Sequence, residues 1–224
     1  MTANDCKLLQ SRKECRNLKP FLVIEGVDGT GKSTVCAALE QEQGAAFYKG
    51  MSPEWRDFRD FVDEDADDDS RLLYYFASCM YTSGKVKKSG EKVPVICHRY
   101  FATYMAIYSL NTGTPLEKVL EAFAPIRERM VTPHLSILLT ADHEELKRRL
   151  LARVDELKAT DMRVVNSHEY TLNFEAALRA VMSWDGPYIV LDTTGKTPEQ
   201  VVSEVRQLCV QHIPGWPTVI ESSN

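Results

Sequence analysis

Gly26-Val27-Asp28-Gly29-Thr30-Gly31-Lys32-Ser33 satisfies, at every fixed place, the pattern Gly-x-x-x-x-Gly-Lys-Ser/Thr that cradles phosphate. Glycines let successive backbone N–H groups turn toward phosphate oxygens, and a helix opening at Lys32 adds the positive end of its dipole. Lys32 is then placed to reach the β- and γ-phosphates of a nucleoside triphosphate, and the Ser33 hydroxyl, with Thr34 beside it, to bind Mg²⁺. A chance match is expected in about one chain in a hundred of this length. The expected ligands are therefore ATP and Mg²⁺, held by residues 26–34. Switches, motors and kinases all use such a loop, so the motif alone does not choose among them. No Asn-Lys-x-Asp stretch of a guanine-specific switch occurs, and the short chain favours a compact phosphotransferase over a mechanical ATPase.

Five short apolar runs must position this loop: Phe21–Glu25, Ala45–Lys49, Val93–Cys97, Leu135–Leu139 and Tyr188–Asp192. They alternate with helical spacings over Lys32–Gln43, Ser70–Lys87, Phe101–Asn111, Pro115–Val131, His143–Leu157, His168–Trp184 and Pro198–His212. Near-continuous apolar strands between helices predict an α/β fold, a three-layer α/β/α sandwich around a five-stranded parallel sheet. The predicted organisation is a polar N-terminal extension over 1–20, one domain over 21–212 and a tail over 213–224. The acidic run Asp63 to Asp69 reads as a solvated loop, with Asp69 or Ser70 capping the next helix; its spacing matches no Ca²⁺ loop.

The 224 residues carry a net charge of −5, which argues against a surface that tracks polymeric nucleic acid. Six cysteines without a Cys-x-x-Cys pair read as reduced, buried thiols of a cytoplasmic protein. No apolar run approaches the roughly 20 residues that span a bilayer.

Four segments resemble the thymidylate kinases among the P-loop nucleoside and nucleotide kinases: IEGVDGTGKST from Ile24, LLYYFASCMYTS from Leu72, VPVICHRYFATY from Val93, and TPHLSILLTADHEELKRRLLAR from Thr132. The stretch YIVLDTTGKTPEQVVSEV from Tyr188 looks like that family's last strand, adenine-side loop and closing helix, which implies Gly195 and Lys196 as donor contacts. The resemblance also implies that Asp28 touches the acceptor sugar, that Arg149 and Arg153 act on the transferring phosphate, and that the chain forms a homodimer. A planar guanidinium bridging two equatorial oxygens suits that charge. It further implies an acceptor pocket made by Lys49, Trp55, Phe76, Met80, Arg99 and Tyr100.

Three acceptor-side positions depart from the pattern. Lys49 stands where the family has a clamping arginine, and a point charge replaces a fork. Ala77-Ser78-Cys79-Met80 replaces Ala-x-Asp-Arg, and His98-Arg99-Tyr100 replaces Asp-Arg-Tyr. An acceptor phosphate needs no general base, whereas a hydroxyl gains from one, and His98, Asp28 and Glu54 are candidates. The expected activity is transfer of the γ-phosphoryl of ATP to a nucleoside monophosphate, with dTMP as first choice. The alternatives are a kinase of a nucleoside or another small hydroxyl acceptor, and a nucleotide-binding protein without catalysis.

Overall fold

In the computed structural model, which describes residues 18–153 and 157–217, the first strand β1 (Phe21–Gly26) leads through the glycine loop into α1 (Lys32–Gln43). Then come β2 (Ala46–Lys49), a 3-10 turn over Pro53–Phe58, α2 (Arg59–Asp65), α3 (Asp68–Gly90) and β3 (Val95–His98). Next are α4 (Phe101–Thr112), α5 (Leu116–Arg127), β4 (Leu135–Thr140), α6 (His143–Leu151) and α7 (Ala159–Asn166). The described chain closes with α8 (His168–Asp185), β5 (Tyr188–Asp192) and α9 (Pro198–His212). The sheet is wholly parallel in the order β2-β3-β1-β4-β5, so the three-layer P-loop architecture is the one present.

Alternation along β1 divides the interior in two. Phe21 and Val23 face a core shared with α3, α4, α5 and α8, while Leu22 and Ile24 face a second core closed by α1 and α9. The chain therefore leaves β1 toward one layer and β3 toward the other, which opens a crevice between their carboxyl ends, where ligands bind in such sheets. β3 starts two residues later than expected because Pro94 has no N–H to give; its carbonyl accepts from Ala46 N at 2.8 Å.

Several expectations are corrected. The acidic run is largely helical: α2 ends at Asp65, and Asp67, rather than Asp69 or Ser70, caps α3 by accepting from Ser70 N at 2.8 Å. Its carboxylates brace neighbouring helices, Asp63 accepting from Tyr75 Oη at 2.6 Å and Asp69 from Tyr108 Oη at 2.5 Å. The helix expected over 143–157 stops at Leu151, and α7 follows as an unanticipated element, its start fixed by Lys158 N donating to the buried Asp161 carboxylate at 3.0 Å. α5 ends at Arg127 instead of reaching Val131. Packing continues past residue 212, since Ile213 and Trp216 are buried in the second core. The extension over 1–17, with Cys6 and Cys15, lies outside the described residues; Cys36, Cys79, Cys97 and Cys209 are free and buried.

Arg127 fastens α5 to α8 through two hydrogen bonds to Asp185, at 2.6 and 3.1 Å, with its guanidinium over Tyr100 and Phe101. Both side chains are nearly inaccessible, so removing one partner strands a buried charge. Asp185→Ala is expected to cost about 3–5 kcal/mol in a denaturant titration, whereas an apolar pair of similar volume replacing both residues should cost far less.

Candidate active site

The loop between β1 and α1 is shaped by Gly26, Gly29 and Gly31, whose φ angles of 143°, 93° and 93° lie in the region that side chains avoid. Thr30 closes it, donating to Val27 O at 2.9 Å. No side chain caps α1, and Val35 N is the first amide bonded back along the helix, to Gly31 O. The amides of Lys32, Ser33 and Thr34 are thus the helix's outward-facing donors, an anion site by construction.

Lys32 is 4% exposed; its ammonium donates to Val27 O at 2.7 Å and lies 3.6 Å from Asp28. Burial, reinforced by the Arg99 charge, drops it to about 7 despite Asp28. Asp28 also accepts from Arg99 Nη2 at 2.6 Å. Burial opposes its charge, but the Arg99 and Lys32 cations win and hold the carboxyl well below the usual carboxylate range.

Arg99 is the only non-glycine residue with positive φ among the described ones, at 62°. Strain of this kind persists only where the surroundings enforce it, and here they do. Arg99 N donates to Ile24 O at 3.0 Å, and Tyr100 N donates to the Glu25 carboxylate at 2.7 Å. The other Glu25 oxygen accepts from Thr103 Oγ1 at 2.5 Å, and Thr103 accepts from Arg99 Nη1 at 3.1 Å. Burial raises the Glu25 carboxyl above its ordinary value even with Arg99 near. Glu25 was not anticipated as a site residue; a lone acid ending an otherwise apolar strand was the available signal. Gly50 crosses so closely that an added Cβ would sit 2.5 Å from Arg99 O and 2.7 Å from Tyr104 Oη.

His98 lies at the end of β3, its Nε2 3.4 Å from Ser33 Oγ. Burial first, then Lys32, Arg99 and Lys49, lower it to about 3. Lys49, in register with His98 on β2, is exposed. On the opposite flank a cleft of about 320 Å³ is lined by the loop, Thr34, Val35, Arg149, Arg153, Lys196, Pro198 and Val201. Arg149 donates to Thr193 Oγ1 and O at 2.9 and 2.7 Å and to Glu145 at 2.8 Å, which ties it to the loop after β5. Arg153, 44% exposed, pairs with Asp161 at 3.1 Å, and Lys196 with Glu204 at 2.6 Å. Gly195 is exposed beside them.

The expected acceptor residues divide. Trp55 is half-buried, edge-on to Tyr74, and Met80 is partly buried. Phe76 and Tyr100 are core residues: Phe76 packs edge-on against Phe101 and Phe123, and Tyr100 donates to Val131 O at 3.2 Å. Among the described residues no group of three or more His, Cys, Asp or Glu could hold a metal. The fit to Mg²⁺ is partial, since Ser33 offers an oxygen while the side chain facing it offers nitrogen.

A parallel sheet with a glycine-rich loop, buried lysine and strand-end arginine defines a P-loop phosphotransferase. The thymidylate kinase family model matches residues 24–205, and the chain belongs to that family. A probable thymidylate kinase from Methanococcus maripaludis is 24% identical over 202 residues, covering 88% of this chain and 98% of the relative. One from Picrophilus torridus is 27% identical over 146 residues, covering 63% and 71%. A guanylate kinase from Clostridium acetobutylicum is 25% identical over 169 residues, covering 69% and 72%. The solved thymidylate kinase of Candida albicans superposes with a TM-score of 0.68 at 17% identity, covering 87% and 92% of the two chains, and shares the fold. The chain is a nucleotide kinase, of a family that uses ATP as phosphate donor and acts on small nucleotides. No helix among the described residues is long and apolar enough to cross a membrane.

Gly50→Ala should displace Arg99 and cost about 100-fold in kcat/KM, while Gly84→Ala, in exposed space on α3, should stabilise by about 1 kcal/mol and leave turnover intact. Folding moves Lys32 from 10.5 to about 7. Between those values the unfolded chain binds more protons, so stability rises with pH across that window and the full cost of burial is felt below it. Lys32→Met should abolish transfer yet raise the thermal midpoint of the nucleotide-free protein near pH 7 by several degrees, a shift of about 2–4 °C per kcal/mol relieved.

Proposed function

We propose that the protein transfers the γ-phosphoryl group of ATP to a nucleoside monophosphate, with dTMP as the acceptor. The observation that carries this reading is that the acceptor side gathers the cations Lys32, Lys49 and Arg99 around Asp28 and His98, and that each of the three candidate bases is weakened. His98 is lowered to about 3. Asp28 is held ionised between Arg99 and Lys32. Glu54, bonded to the Ser52 hydroxyl and to Lys85, is lowered to about 2. A hydroxyl acceptor gains from a base with a pKa near the working pH, and an ionised phosphate does not need one.

Residues 26–34 hold the donor phosphates through loop amides, with Lys32 on the transferring group. A divalent ion bound with the triphosphate neutralises charge on its oxygens. Lys49 and Arg99 attract the acceptor phosphate from adjacent strand ends, and Asp28 fixes the guanidinium of Arg99 while its exposed edge faces the acceptor sugar. Arg149 holds the loop of Thr193, Gly195 and Lys196 against the donor nucleoside, and Arg153 is the arginine left to swing toward the phosphates. The family's homodimeric assembly is the proposed oligomeric state.

ADP release should be followed with MgATP against dTMP, other nucleoside monophosphates, thymidine and other nucleosides, with Lys32→Ala as blank. The expected result is turnover of dTMP in the kinase range of about 1–100 per second, lost in the blank. Turnover of a nucleoside with silence toward every monophosphate would overturn the proposal.

A further inference from the structure

The metal position of this phosphate loop has an unusual neighbour. Ser33, one residue into α1, is the hydroxyl through which such loops bind their divalent ion, and a strand-end aspartate ordinarily completes the protein's share. Here the atom facing Ser33 Oγ is His98 Nε2, at 3.4 Å. Neighbouring donors on an octahedral ion with bonds of about 2.1 Å lie about 3 Å apart, so a small side-chain adjustment makes these two atoms adjacent ligands of one ion.

The two carboxylates of β1 and the phosphate loop are already engaged. Both Glu25 oxygens accept from Tyr100 N and Thr103 Oγ1, and Asp28 is engaged by Arg99 and Lys32. We propose that Ser33 Oγ and His98 Nε2 form a mixed oxygen–nitrogen site for the divalent ion of the metal–nucleotide, favouring first-row transition ions such as Mn²⁺ and Co²⁺ over Mg²⁺. Magnesium demands oxygen, whereas affinity for imidazole nitrogen climbs along the first-row series from manganese through cobalt. Imidazole nitrogen is the commonest metal ligand among side-chain groups, and His98 presents Nε2 to the Ser33 hydroxyl with the cations Lys32, Arg99 and Lys49 around it. Those same cations, Lys32, Arg99 and Lys49, repel a bare metal ion, so the ion enters with the negative charge of a nucleotide.

This inference rests on the reading that the loop holds a metal–nucleotide, and the test separates the two. Full-length protein labelled with ¹⁵N-histidine and loaded with Mn²⁺ and ADP is measured by pulsed electron paramagnetic resonance, beside unlabelled protein and the His98→Gln variant. The expected result is a nitrogen coupling that changes isotope with the label and disappears in His98→Gln. In parallel, the ratio of Co²⁺ to Mg²⁺ affinity, measured by calorimetry on the ADP-loaded protein, should fall about tenfold in His98→Asp, the scale on which changes around a metal move its affinity. Bound Mn²⁺–ADP with no label-sensitive coupling would overturn the mixed site and leave the kinase reading standing. Failure to bind Mn²⁺–ADP at all would overturn both.

Discussion

A buried carboxylate governs the geometry of the strand ends. Glu25 sits near the end of β1, where burial works against its charge and raises its carboxyl, and both oxygens receive hydrogen bonds from the start of α4. Those bonds clamp β1 to β3 at the point where the chain must reverse toward the opposite helical layer. Arg99, between them, is driven into a left-handed backbone that an arginine does not choose, and its side chain is thereby aimed across the crevice at Asp28. The backbone around the arginine and the start of α4 are thus held by one acid. Without it, a strained residue would have nothing to hold it.

The same economy appears at Lys32, a cation buried beside two other cations and weakly repaid by Asp28. In the protein alone this is an unfavourable arrangement. It becomes favourable when phosphate supplies the missing negative charge, so the free energy held back in folding is released on binding. The same imbalance lowers His98 and Asp28, which stand among these cations, whereas burial still raises Glu25.

Much of the architecture was legible because it rests on repeating local signals. The alternation of Leu22 and Ile24 with Phe21 and Val23, and the glycine spacing ahead of Lys32, specify strands and loop with little help from the rest of the chain. What escaped depended on contacts between distant residues. The run from Asp63 to Asp69 is polar in any window; Asp67 caps α3 locally, but the bracing of Asp63 by Tyr75 and of Asp69 by Tyr108 joins different helices. The short helix α7 is set by one buried aspartate. Phe76, placed by resemblance at a ligand position, packs in the interior, while Arg149 lines the cleft and is also held by Thr193, a partner 44 residues away that no spacing rule reveals.

The two interiors on opposite faces of the sheet bear on how such a protein changes over time. Val35 and Val201, which line the cleft beside the loop, belong to the core of α1 and α9, whereas Phe76, Met80 and Tyr100 belong to or pack against the other core. The sheet between them works as a bulkhead. The cleft draws on both interiors, because Val35 and Val201 belong to one while Arg149 stands on α6, whose Leu146 and Leu150 pack in the other. Met80 packs against the first interior, whereas Lys49 and His98 share the strand face of Phe47 and Ile96 in the second, so changes at these three positions are absorbed by separate packing.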